Sequence, residues 1–156
     1  MGALLAAHLV VGLALVGIGR RAGRWAVPVA ALPSAATVVW LATRLPAVLD
    51  GEPVTERVSW VGRLGLSFEL HLDGFAALFV ALVAGIGVLV FAYSASYLAR
   101  GGAGHGRLLG LLVLFSGSMV GLVLADDMIV LFGFWELTSI TSFLLIGNDH
   151  ESVKAR

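Results

Sequence analysis

The sequence contains no cysteine and little charge. Without cysteine the chain has no disulfide, no cysteine-ligated metal cluster and no thiol nucleophile. Only 13% of its 156 residues are Asp, Glu, Lys or Arg, and ten basic and ten acidic residues give a formal net charge of zero. Because affinity for nucleic acid depends on an excess of basic side chains, we expect no nucleic-acid partner.

What the chain has in place of charge is apolar side chains. They make up 59% of the residues, and the mean hydropathy is +0.98. Soluble domains are usually about 45–50% apolar and about 25% charged. A chain this short cannot bury such an excess in a single core, since small domains bury only about two-thirds of their surface. The composition therefore excludes a soluble enzyme and a disordered chain, and it predicts an integral membrane protein.

Five long stretches lack ionised side chains almost entirely. A helix of about 20 apolar residues crosses a hydrocarbon core of about 30 Å. The stretches are continuously hydrophobic and do not alternate, which excludes membrane-spanning strands. We predict an all-α membrane fold whose five transmembrane helices cover 1–19, 27–43, 74–99, 108–125 and 128–147, the last interrupted by Glu136. Pro46 is expected to end the second helix.

The basic residues indicate the orientation, because short loops rich in Lys and Arg stay in the cytoplasm. Seven of the ten would lie on one side if the N-terminus is outside and the C-terminus inside: Arg20, Arg21, Arg24, Arg100, Arg107, Lys154 and Arg156. The chain then divides into helices 1–2 (1–49), an outer loop (50–73), helices 3–5 (74–147) and a cytoplasmic segment (148–156). We expect a multi-pass protein of a bacterial cell membrane.

The outer loop has the periodicity of strands. From Leu64 to Leu72, leucine and phenylalanine alternate strictly with Gly, Ser, Glu and His, and Val54 to Trp60 alternates more weakly. Gly62 and Arg63 lie between the two runs. This pattern predicts a β-hairpin, and because an isolated hairpin is marginal in water, it should rest on the helices or on a neighbouring subunit. An unstructured loop is the alternative.

Two pairs of small residues are spaced for close helix packing. Gly117 and Gly121 form a G-x-x-x-G pair in helix 4, and Ala81 and Gly85 form a similar pair in helix 3. In a chain with 20 glycines such pairs are common. We expect them to pack helices of the same subunit against one another rather than to form a dimer interface.

Glu136 is the residue most suited to chemistry. It lies near the middle of the fifth stretch, where an ionised carboxylate costs about 2.5–3.5 kcal/mol. A carboxylate kept there at that cost can take up and release a proton, so we predict a role in ion movement; a buried structural carboxylate is the alternative. Ser139 and Ser142 follow at three-residue steps, and Thr138 and Thr141 flank them. This polar stripe should face protein or water rather than lipid.

The other polar residues of the helices have simpler interpretations. His8 stands alone on an apolar helix, where a packed histidine is favoured over a proton relay. Asp126 and Asp127 precede the fifth helix, where a carboxylate caps the helix N-terminus; a cation-attracting mouth is the alternative. His, Asp and Glu do not cluster at ligand spacing, so we predict no metal site and no cofactor.

The end of the chain resembles a known family. Leu124 to Phe132, Phe134-Trp135-Glu136-Leu137-Thr138-Ser139 and Ser142 to Gly147 resemble the fifth transmembrane helix of antiporter-like membrane subunits. That superfamily includes subunits of multisubunit Mrp-type Na+/H+ antiporters and the proton-pumping subunits of respiratory NADH-quinone oxidoreductase. Asp73-Gly74, the segment from Tyr93 to Leu98 and the outer hairpin are also similar. The resemblance covers residues 50–150 well and the first two helices only in layout.

Within the superfamily the motif around Glu136 is most similar to the A subunit of the Mrp antiporter. Complex I relatives more often have glycine before the tryptophan and after the glutamate. The resemblance implies that Glu136 pairs with a lysine on a later helix and takes part in proton translocation coupled to Na+, within a complex of several antiporter subunits. The tail from Asp149 to Arg156 resembles the approach to a sixth helix.

Family members have many more helices than five, so the resemblance implies a fragment or one part of a split subunit. Two other functions stay open. One is a proton-pumping subunit of NADH-quinone oxidoreductase, and the other is a noncatalytic membrane scaffold.

Overall fold

The computed structural model describes residues 1–61, 66–98 and 105–147. In these ranges the chain forms a helical bundle with one hairpin at its end. The helices are α1 (Gly2–Ala22), α2 (Ala26–Leu49), α3 (Gly74–Leu98), α4 (Gly106–Leu124) and α5 (Met128–Ile146), and a short 3-10 turn, Gly23–Trp25, joins α1 to α2. The antiparallel strands are β1 (Val54–Val61) and β2 (Leu66–Leu72).

The predicted helical membrane architecture is confirmed in part. Within the described ranges, α2, α4, α5 and residues 74–96 of α3 are long and apolar enough to cross a membrane. The apolar part of α1, Gly2–Ile18, is shorter, so the fifth span and the orientation stay predictions. The predicted cytoplasmic segment 148–156, Arg100, and the residues Gly62 and Arg63 between the two strand runs lie outside the described residues.

One expected helix end is wrong. Helix α2 continues past Pro46 to Leu49. Proline lacks an N–H and so removes one helical hydrogen bond, but it leaves its own carbonyl free to accept. The N–H of Asp50 donates to the Pro46 carbonyl at 3.0 Å, and the N–H of Glu52 donates to the Ala47 carbonyl at 2.9 Å. The last turn is therefore stabilised despite the proline.

Helix α4 lies at the centre of the bundle. It packs against each of the other four helices. Of its long apolar stretch, 56% is buried inside the bundle, compared with 17% of the corresponding stretch of α5. Much of its buried surface is formed by small side chains, among them Gly110, Ser116, Gly117, Ser118 and Gly121. In lipid, small residues bring helices together because they let backbones approach closely.

The glycines of α4 show this close approach directly. A Cβ atom on Gly110 would lie 2.6 Å from the carbonyl oxygen of Gly12 in α1. A Cβ on Gly117 would overlap His8 of α1, at 3.0 Å from the ring Cγ, and one on Gly121 would lie 2.5 Å from ring atoms of Phe134 in α5. The Gly117–Gly121 pair therefore packs helices of one subunit, as the sequence predicted.

The second predicted pair behaves differently. Ala81 is exposed, and a Cβ atom on Gly85 would meet no atom within 4 Å. Helix α3 packs instead through the neighbouring positions Ala84, which is fully buried, and Gly87, where a Cβ would lie 2.9 Å from the hydroxyl of Ser34 in α2. The spacing rule located the right type of residue on α3, but on the wrong face.

The predicted hairpin is confirmed and rests on the helices. Leu70 and Leu72 of β2 are 1% and 0% exposed, and they join a core cluster with residues of α2, α3 and α4. These residues occupy alternate positions, as the period-2 pattern predicted. On the strand faces, Arg57 of β1 forms an ion pair with Glu69 of β2. The apolar face of β2 thus closes one end of the bundle.

Two further contacts connect the hairpin to the helices. Leu70 forms an isolated β-bridge with Ala125, and the N–H of Asp126 donates to the Glu69 carbonyl at 3.1 Å, so β2 pairs with the connection between α4 and α5. On β1, Glu56 accepts hydrogen bonds from the Met1 ammonium at 2.5 Å and from the Gly2 N–H. The hydrogen bond from this ammonium lowers the pKa of the Glu56 carboxyl.

We predict that Leu70→Ala destabilises the folded protein far more than Val58→Ala on the same hairpin. Leu70 is buried, and removing a buried leucine costs about 2–5 kcal/mol. Val58 is 54% exposed, so its truncation should change the free energy of unfolding by less than about 0.5 kcal/mol. Thermal unfolding of the purified protein measures the difference. Equal effects of the two substitutions would contradict the docking of the hairpin.

Candidate functional site

Helix α5 begins with a side-chain cap. Asp127 has extended backbone angles, and its Oδ1 accepts hydrogen bonds from the N–H of Ile129 at 2.8 Å and of Val130 at 3.3 Å. Asp73 accepts a bond from the Ala76 N–H at the start of α3 in the same way. Each carboxylate satisfies N–H groups that a helix leaves unpaired and lies at the positive end of the helix dipole.

One face of α5 is buried. Val130, Thr138 and Thr141 lie on it and are 5–9% exposed. The two threonine hydroxyls donate to carbonyls of their own helix, Thr138 to Trp135 at 2.7 Å and Thr141 to Leu137 at 2.7 Å. Because their polar groups are paired within α5, these residues can pack in an apolar interface.

Glu136 lies on the other face of α5 and is exposed. It is the ninth residue of a 19-residue helix and is therefore close to the middle of the span. Ser139 shares the exposed face, with its hydroxyl donating to the Trp135 carbonyl at 3.2 Å. Ser142 is half-buried between the two faces. The structure thus places Ser139 near Glu136, as expected, but turns Thr138 to the opposite, buried side.

The exposed face of α5 also carries large apolar side chains. They flank the carboxylate, and their exposed fractions exceed one half: Phe132, Trp135, Ile140 and Phe143. A face that combines aromatic residues with one carboxylate is typical of a contact surface with other protein rather than of a surface made for lipid.

His8 is packed inside the bundle. It is 1% exposed and rests on Gly117 of α4. Its Nδ1 lies 2.9 Å from the Leu4 carbonyl, and since a carbonyl only accepts, Nδ1 carries the proton in this bond. The Nε2 atom has no hydrogen-bond partner in the part of the chain that the structure describes. This is the geometry of a packed histidine.

The remaining candidates stay apart from one another. Asp126 is exposed beside the Asp127 cap, and the structure brings neither of them to Glu136, which is about two and a half helical turns further along α5. Among residues 1–61, 66–98 and 105–147, no group of three or more His, Asp or Glu side chains is placed to hold a metal ion.

Phe134 is a site residue that sequence reasoning did not single out. Its ring rests on Gly121 of α4 and meets the edge of Phe68 of β2, with ring centroids 6.0 Å apart and planes at 64°. It separates two apolar grooves of about 430 and 340 Å³ along α5. The G-x-x-x-G spacing indicated that Gly121 is a packing position, but no local sequence pattern indicated that Phe134 packs against it.

Comparison with known proteins identifies relatives of this chain. Residues 58–107 match the family model of the N-terminus of chain 5 of NADH-ubiquinone oxidoreductase (complex I). The probable K(+)/H(+) antiporter A/B subunit of Rhizobium meliloti (strain 1021) is 49% identical over 111 residues, which are 71% of this chain and 11% of that protein. The Na(+)/H(+) antiporter A1 subunit of Staphylococcus aureus (strain JH9) is 42% identical over 108 residues, 69% of this chain and 13% of that protein.

Two solved structures share the fold. A chain of the Mrp complex from Dietzia sp. DQ12-45-1b matches with a TM-score of 0.69 and 36% identity, over 93% of this chain and 15% of that chain. A chain of the membrane-bound sulfane sulfur reductase, an archaeal respiratory membrane complex, matches with a TM-score of 0.77 and 20% identity, over 97% of this chain and 31% of that chain. The second likeness shows the fold alone.

These findings define the class as a membrane subunit of the superfamily that multisubunit antiporters share with complex I. Within it, the predicted resemblance is confirmed: the chain is related to the A subunits of Mrp-type antiporters. It spans 11–13% of the length of these curated relatives.

We predict that Asp127→Ala destabilises the start of α5 by about 1 kcal/mol, whereas Asp127→Asn stays close to wild type. Asparagine keeps the side-chain oxygen that accepts from Ile129 and Val130 but removes the charge. Thermal unfolding of the purified protein is the measurement, and Asp126→Ala is the matched control. A loss with Asn as large as with Ala would show that the charge, and not the cap, is what matters at Asp127.

Proposed function

We propose that the chain is the N-terminal part of a monovalent cation/proton antiporter subunit, and that Glu136 takes part in its proton translocation. The single observation that carries this proposal is the position of Glu136, exposed on α5 at mid-span. Its support comes from the relatives, which are antiporter A subunits, and from the motif Phe134 to Ser139.

The energetics favour a working carboxylate over a structural one. If Glu136 faced lipid, its ionised form would cost about 2.5–3.5 kcal/mol. A structural carboxylate would offset that cost by bonding to a neighbouring helix, yet Glu136 faces away from the helix that supports α5. The face that carries it therefore meets protein or water in the assembled subunit. There the carboxylate can exchange a proton with a group on another helix.

The proposal includes a topology. With the N-terminus outside and the C-terminus inside, α1 is a fifth span, the hairpin lies on the extracytoplasmic side and residues 148–156 lie in the cytoplasm. The membrane is that of a bacterial cell. The partners are the rest of the antiporter polypeptide, other antiporter subunits, protons and a monovalent cation such as Na+.

We predict that Glu136→Gln in the complete subunit lowers cation-driven proton exchange by about 100-fold or more. Glutamine fills the same space but cannot carry a proton, and positioned acid–base groups commonly supply about that factor. The measurement is pH-gradient dissipation by added Na+ in membrane vesicles that contain equal amounts of the complex.

Two variants serve as controls. Glu136→Asp keeps a titratable group and should retain part of the activity. Ser139→Ala, on the same exposed face, should retain most of it, since the Ser139 hydroxyl is paired with its own helix. Wild-type exchange by the Gln variant would rule out the proposed role of Glu136.

A second candidate is a proton-pumping subunit of a respiratory complex. The match of residues 58–107 to the N-terminus of complex I chain 5 favours it. Co-purification distinguishes the two: NADH dehydrogenase activity in the purified complex supports the respiratory function, and small antiporter subunits support antiport. A noncatalytic scaffold, by contrast, would tolerate Glu136→Leu.

A further inference from the structure

The rotation of α5 about its own axis decides where Glu136 faces. Successive residues of an α-helix are turned by about 100°, so Phe134 and Glu136 lie about 200° apart around α5. Thr138 and Thr141, four and seven residues after Phe134, lie on nearly the same side as its ring. Both are buried, and Glu136 is exposed. A contact that keeps the side of α5 with Phe134 against α4 therefore also keeps Glu136 on the side that points away from α4.

Few contacts hold α5. It is the least buried of the four helices that are long enough to span, and among the described elements it packs mainly against α4. Apolar grooves of about 430 and 340 Å³ run on either side of Phe134 and Phe68. Between these grooves the Phe134 ring is seated on Gly121 and braced by the Phe68 edge. Because these grooves leave the space beside Phe134 unfilled, the contacts of its ring with Gly121 and Phe68 supply a large share of the resistance to rotation of α5.

We propose that Phe134 is a positioning residue: seated on Gly121 and against Phe68, it sets the rotation of α5 that directs Glu136 toward its proton-exchange partner. This inference rests on the proposed function of Glu136. It gives Gly121 and the hairpin residue Phe68 a part in antiport although neither touches the reacting group. The hairpin then has a second contact with the α5 region, besides the bridge between Leu70 and Ala125.

The first test is Gly121→Ala in the complete subunit, with Gly85→Ala on α3 as its control. An added methyl at Gly121 would lie 2.5 Å from ring atoms of Phe134, so the ring and α5 must shift, whereas a methyl at Gly85 meets no atom within 4 Å. We expect Gly121→Ala to lower exchange per assembled complex by about tenfold or more. We also expect it to move the pH of half-maximal exchange, because Glu136 then has different neighbours.

A purely structural role predicts something else. It would lower the amount of assembled complex but leave the pH profile of the surviving complex unchanged. Phe134→Leu, which is smaller, should restore activity and the pH profile in the Gly121→Ala background because it makes room for the methyl. An unchanged pH profile, no rescue, or equal behaviour of Gly121→Ala and Gly85→Ala would overturn the positioning role.

A second test reads the rotation without using activity. This chain contains no cysteine, so paired cysteines can be introduced into a complete subunit that is otherwise free of them. A short thiol-specific crosslinker should join Ser118→Cys on α4 to Thr141→Cys on the buried face of α5, since both residues line the same groove, and should not join Ser118→Cys to Ser139→Cys on the exposed face. The reverse result would overturn the inferred rotation. If Glu136→Gln were fully active but the crosslinks followed this pattern, the proposed function of Glu136 would be wrong. The inferred rotation of α5 would still be supported.

Discussion

The close approach of backbones on helix α4 is the constraint on which the rest of the structure depends. Lipid offers little hydrophobic force to bring helices together, so their association relies on contact between well-fitted surfaces. On α4, Gly110 and Gly117 have no side chain, so α1 packs close to the α4 backbone. Gly121 in the same way leaves room for Phe134 of α5. The hydroxyl of Ser116 lies 3.5 Å from that of Ser34 in α2. One helix with small side chains thus sets the distances between the others.

The hairpin extends this arrangement beyond the helices. Its buried leucines complete an apolar cluster at one end of the bundle, and its backbone pairs with the connection that leads into α5. Glu56 reaches the first residues of α1, while Phe68 reaches Phe134. A two-stranded sheet has little stability of its own. Here it gains stability from the helices, and in return it ties α1 to the start of α5.

Much of this architecture was predictable because its signals are local. Stretches without charge reveal helices in a membrane, and the leucines of β2 alternate because only one face of the strand is buried. The direction of Glu136 was not predictable, since both faces of α5 are apolar and helix periodicity then gives no preferred side. Similarly, the partner of Gly121 lies on another helix. Helix α2 continues past Pro46 because the N–H groups of Asp50 and Glu52 donate to the Pro46 and Ala47 carbonyls, and the proline alone does not reveal these bonds.

The contrast between α4 and α5 supports the proposal that further protein packs against α5. In a bundle that ended here, α5 would be a peripheral helix, and its exposed face would be uniformly apolar to suit lipid. Instead that face carries a carboxylate at mid-span among exposed aromatic rings. The stretches that match this chain make up only 11–13% of the length of the curated relatives. We therefore expect α5 to lie inside the complete subunit, supported by α4 on one face and presenting Glu136 to the remaining helices on the other.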